Sequence, residues 1–94
     1  MTLRELRTFC RDYPELSALW TNLVAKALCV EIIGLPLALV AHDGGELTQE
    51  QICKYHKQDA IFNEVAQRFT RTCAKYGIVD PPKLTAADVC DSYR

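Results

Sequence analysis

The stretch LVAKALCVEIIGLPLALVA, Leu23–Ala41, decides how the rest of the sequence is read, because only Lys26 and Glu31 in it are charged. A hydropathy scan flags such a run as a membrane segment. Against that, each ionisable residue near the centre of an inserted helix costs about 2.5–3.5 kcal/mol, and Gly34 and Pro36 interrupt the run. Upstream, Leu16, Leu19 and Trp20 continue the apolar pattern at helical spacing, with Glu15, Asn22 and Lys26 on the opposite face. The stretch is therefore read as the core helix of a soluble domain, with a membrane segment over 23–41 as the alternative.

A helix apolar on all sides must be surrounded, and this chain has few other helices with which to do it. Self-association into a homodimer is the expected remedy. Within the run, Gly34-Leu35-Pro36 predicts an end or sharp bend, since proline lacks a donor and disfavours helical geometry at the residue before it. A short helix over 36–42 then stops at Asp43-Gly44-Gly45, where glycine can take the left-handed cap.

Three further helix starts share one code, apolar-Thr-x-x-Glu/Gln/Asp-apolar: Met1-Thr2 to Glu5-Leu6, Leu47-Thr48 to Gln51-Ile52, and Leu84-Thr85 to Asp88-Val89. Each sets a threonine oxygen at the N-cap, an N3 side chain able to reach back, and an apolar pair for the hydrophobic staple. Asp88 is the shortest of the three N3 side chains, so the third start is the weakest. Pro14 with Glu15 makes a fourth start. On the long helix after Thr48, residues Ile52, Tyr55, Asp59, Phe62, Ala66, Phe69, Cys73 and Tyr76 alternate in steps of three and four. That heptad seam is the natural dimer surface. Asp59 is its one polar member, and either the helix runs on through it or a break falls near His56 to Asp59; continuity is favoured. Period-two alternation is nearly absent, Tyr76–Val79 being the one short exception.

The sequence thus predicts an all-α fold: a single domain over 1–94, a small bundle of four to five helices at about 3–11, 14–33, 36–42, 49–76 and 86–93. An apolar helix is at its centre, and Val89, Cys90 and Tyr93 dock the last element. Ninety-four residues provide one core. Eleven basic against twelve acidic residues give a net charge of −1, which removes a whole-protein drive toward nucleic acid or anionic membrane. The five cysteines are odd in number and form no C-x-x-C, which suits a reducing compartment. MTLRELRTFC carries charges where a signal peptide needs apolar residues. A cytoplasmic location is expected.

Candidate sites are few. Cys53-x-x-His56 is the one Cys/His pair at ligand spacing, but a metal needs two more ligands and no second pair exists, so no metal and no cofactor are expected. Glu31, isolated between Val30 and Ile32, is read as pairing with a basic residue or reaching water. Two basic stripes at i, i+3, i+7, Arg4/Arg7/Arg11 and Arg68/Arg71/Lys75, are candidates for contact with an acidic partner surface, although Glu64 is placed to pair with Arg68. The opening Leu47-Thr48-Gln49-Glu50-Gln51-Ile52 resembles that of many helix-turn-helix domains. Tyr55, Lys57 and Asp59 fill the region where the turn would lie, so no recognition helix is carried over.

No nucleophile–base set, paired carboxylates or phosphate-cradling loop is recognisable, and Asp43-Gly44-Gly45 lacks the lysine and helix start of a P-loop. The expected function is that of a non-catalytic module binding another protein, as adaptor, regulator or inhibitor, of the kind phages and mobile elements often encode. A nucleic-acid-binding helical regulator and a small membrane-associated protein are the alternatives.

Overall fold

A computed structural model describes residues 1–92 as four helices: α1 (Leu3–Cys10), α2 (Pro14–His42), α3 (Gln49–Lys75) and α4 (Ala86–Asp91). The all-α class is as the sequence predicts, and no strand occurs among the described residues. Tyr76–Val79 forms a turn and extended chain instead. Tyr93, assigned to the last helix and its docking from the sequence, lies outside the described residues.

Local capping chemistry fixes the starts. Thr2, Thr48 and Thr85 each accept a hydrogen bond from the N3 backbone N–H, at 3.2, 3.2 and 3.1 Å. At Thr48 the box is complete, because its own N–H donates to Gln51 Oε1 at 2.9 Å. The two long helices end alike. Gly44 and Gly77 have φ of +78° and +88°, the left-handed region in which a Cβ is costly. Beyond them, Gly45 N–H donates to the Val40 carbonyl at 2.9 Å and Ile78 N–H to the Cys73 carbonyl at 3.1 Å, the 6→1 bond of a Schellman cap.

α2 is the hub on which α1, α3 and α4 all pack. It runs antiparallel to α3: Trp20 meets Phe69 with ring centroids 5.8 Å apart at one end, and Gly34 faces Tyr55 toward the other. The molecule is correspondingly elongated, 46 × 22 × 20 Å. Its buried core is not spread along that length. In α2 the buried residues are Leu16, Trp20, Leu23, Ala27 and Val30; in α3 they start at Phe62 and continue through Phe69 to Cys73. Leu6 and Cys10 of α1, Val89 and Cys90 of α4, and Ile78 complete the same cluster. Burying each of the large apolar side chains among them contributes about 1.5–3 kcal/mol. This part is the body. The remainder of α2 beyond Val30, together with α3 before Phe62, is an arm in which no residue is fully buried.

Two expectations are corrected here. The predicted end at Gly34-Leu35-Pro36, with a separate helix over 36–42, is absent: α2 is one helix through Pro36. Pro36 and Ile32, whose carbonyl loses its i+4 donor to the proline, both lie on the exposed side, where water can serve that carbonyl. Gly34 acts as a contact rather than a breaker, since a Cβ there would come within 3.0 Å of the Tyr55 ring. The second correction concerns the α3 seam. Phe62, Ala66, Phe69 and Cys73 are buried within the chain's own core, so that seam is not available for a dimer. α3 is continuous through Asp59, which stays half-buried and accepts from Asn63 Nδ2 at 3.4 Å.

Candidate binding surface on the arm

On the inner side of the arm, α2 and α3 line an open cleft of about 540 Å³, which Leu35 and Ala38 also border. Val30, Gly34, Leu37 and Ala41 come from α2, one helical face at alternating steps of four and three, and Ile52 and Tyr55 come from α3. Glu31 and His56 also line it, giving an otherwise apolar cleft a carboxylate and an imidazole. Glu31 is half-buried and has no ion-pair partner among the described residues, so of its two expected roles it takes the solvent-reaching one.

The opposite side of α2 is a second apolar surface. Leu28, Ile32, Leu35 and Leu39 are 48, 71, 63 and 60% exposed. They recur at steps of four, three and four, so they share one stripe, centred away from Ala27, Val30, Gly34 and Leu37, with Leu35 at the edge where the stripe meets the cleft. Sequence reasoning missed this strip. Its spacing is legible only once the inner face is known, because nearly every position from 27 to 41 is apolar and any phase fits.

The basic stripes lie elsewhere. Arg68, Arg71 and Lys75 are exposed on the body half of α3, near the level of Trp20 and Glu15, and make no ion pair among the described residues. The expected Glu64–Arg68 pair does not form; Glu50 and Lys54 pair instead, at 3.9 Å. Arg4 on α1 and Arg11 at its C-cap are exposed, but Arg7 between them is half-buried and its Nη1 donates to the Ser92 carbonyl at 2.6 Å. Arg7 therefore fastens the end of α4 to α1. The apolar surfaces and the basic stripes thus sit on different parts of the molecule, not as a centre and its rim.

Cys53 and His56 are both exposed, and no group of three or more metal-binding side chains occurs among the described residues. The Leu47–Ile52 opening leads into an unbroken helix of 27 residues, with no second helix set across it as a helix-turn-helix requires. The thiols divide by place: Cys29 and Cys53 are exposed, whereas Cys10, Cys73 and Cys90 are buried. Burial pushes the Cys10 thiol up to about 11, with the Cys73 sulfur adding to it, and burial raises Cys73 as well. Tyr76 donates to Glu15 Oε2 at 2.8 Å, and that bond to a carboxylate holds the phenol above its usual range.

No protein-family model, no curated protein and no solved structure matches this chain.

Proposed function

We propose that this protein is a small non-catalytic module that binds another protein through the arm, with the cleft between α2 and α3 receiving apolar side chains of the partner. The observation behind this reading is the cleft's composition and position. An open apolar cavity with a few polar groups at its edge is the usual form of a recognition site, and this one lies where the chain has no core of its own to build. Arg68, Arg71 and Lys75 supply a separate basic surface that suits an acidic region of the same partner, and Arg4 and Arg11 a further one. Such exposed charges chiefly affect association rate. A role as adaptor, regulator or inhibitor in the cytoplasm fits cysteines that form no disulfide among the described residues.

The test is capture from the native cell with tagged protein, read by mass spectrometry. Ala41 is exposed and lines the cleft, so Ala41→Trp fills it without disturbing the body. The wild type is expected to retain a protein that Ala41→Trp loses, with the triple Arg68→Glu/Arg71→Glu/Lys75→Glu variant retaining less of it. Capture indifferent to both changes removes the reading.

The exposed strip on α2 favours a second reading, association with a membrane. By length and composition α2 can cross a bilayer, and few residues of its apolar stretch are buried. In flotation with anionic and neutral vesicles this reading requires the wild type to rise with lipid and Ile32→Asp to stay behind.

A further inference from the structure

We propose that the outer strip of α2 is the seam of an antiparallel homodimer, in which Leu28, Ile32, Leu35 and Leu39 of one copy interlock with the same four residues of a second.

The residues carry the register. Written as a heptad, Ile32 and Leu39 fall at a, and Leu28 and Leu35 at d, with Ala25 at the preceding a and His42 at the following d. An antiparallel pair matches a to d across the seam. Ile32 then meets Leu35 of the second copy, Leu28 meets Leu39, and the same contacts repeat on the other side of the two-fold axis. All four central layers are apolar. At the ends His42 lies against Ala25 of the second copy, a small residue with room for an imidazole.

The parallel alternative is worse on two counts. It sets His42 against its own copy, and it carries the contact back toward Thr21, where α1 crowds the helix: Arg7, Cys10 and Arg11 line one hollow with Ser17 and Thr21. The antiparallel pair overlaps arm with arm and leaves each body at an outer end.

Area and charge agree with this occupant. The exposed parts of the four large side chains amount to on the order of 450 Å² per copy and 900 Å² for the pair, about three-quarters of the roughly 1,200 Å² at which stable interfaces begin. Ala25, Ala38 and His42 border the same seam and make up the difference. An interface of this size is reversible. The one charged side chain flanking the strip is Glu31, and in this register it faces Ala38 of the second copy, so no like charges meet. Leu35, Ala38 and Glu31 also edge the cleft, so the seam and the proposed partner site adjoin along one side of α2, while Leu28, Ile32 and Leu39 belong to the seam alone.

The experiment has two parts. Sedimentation of the full chain over about 5–200 µM, a span suited to micromolar association, should show the mass rising from 10.6 kDa toward twice that value. Ile32→Asp should remain monomeric with an unchanged helical spectrum, and Ala41→Trp should dimerise normally. In the second part, Cys29→Ser/Cys53→Ser protein carrying Leu28→Cys is mixed with the same background carrying Leu39→Cys and mildly oxidised. A disulfide between the two variants, with little in either alone, supports the antiparallel seam. Strong self-crosslinking of Leu28→Cys alone overturns the orientation. A wild type that stays monomeric throughout, or that takes up vesicles through the strip in place of self-association, overturns the proposal.

Discussion

The body and the arm use the same two helices and are held in different ways. In the body, α2 and α3 close on a core that α1 and α4 cover, so that Leu6, Leu16, Leu23, Phe69 and Val89 have no exposed surface. In the arm the same α2, still apolar, has α3 on one side and solvent on the other. The arm has the Thr48 capping box, the Schellman end at Gly44 and Gly45, and, between the two helices, the seat of Tyr55 on Gly34. Hydrophobic composition alone therefore does not make a core. A helix of one composition becomes structural where neighbours surround it and is left with an exposed apolar face where they stop.

The contrast can be broken first at its strong end. Phe69→Ala removes a fully buried ring in contact with Trp20 and should cost about 3–5 kcal/mol in urea unfolding. Loss of much less would mean that the body is not the folding unit. At the arm, Pro36→Ala restores a donor for the Ile32 carbonyl inside a continuous helix and should stabilise, by about 1–3 kcal/mol if the arm unfolds with the body. Destabilisation would show that the proline sets a shape the arm requires. Thr48→Ala opens the capping box and should cost about 1 kcal/mol, seen mainly as fraying of the first turn of α3 by circular dichroism.

Alkaline titration separates the two regions by their thiols. Cys10 sits at about 11 when folded against 9.0 for an ordinary thiol, so between those values the unfolded chain has lost more protons than the folded one. Stability is therefore full below about pH 9 and falls as pH rises toward 11. Over the same range a thiol reagent should label Cys29 and Cys53 rapidly and Cys10, Cys73 and Cys90 only on unfolding. The smallest effect belongs to the strip: Leu39→Ala in dilute, monomeric protein should change stability by less than about 0.5 kcal/mol, because that side chain is already in water.

What was legible in the sequence follows the same division. The threonine caps, the glycine stops and the α3 seam are short-range patterns, and each appears in the structure at the residues that carry it. The proposed break at Pro36 failed because the proline's cost falls on an exposed carbonyl while Gly34 and Leu37 keep α2 beside α3. The role of Arg7 was hidden because its acceptor lies 85 residues away. The cleft and the outer strip could not be told apart within an unbroken apolar run; only the position of α3 separates one face from the other.

Hydrogen exchange, followed peptide by peptide on dilute and then concentrated protein, tests the division most directly. In dilute solution, amides of residues 16–30 and 62–73 should exchange only through global unfolding, and those of 32–42 and 49–57 at least tenfold faster, as marginal local opening requires. On concentration, residues 32–42 should gain protection while residues 16–30 and 62–73 stay unchanged. Uniform protection of arm and body in dilute protein, unaltered by concentration, would contradict both the weak arm and the adhesive strip.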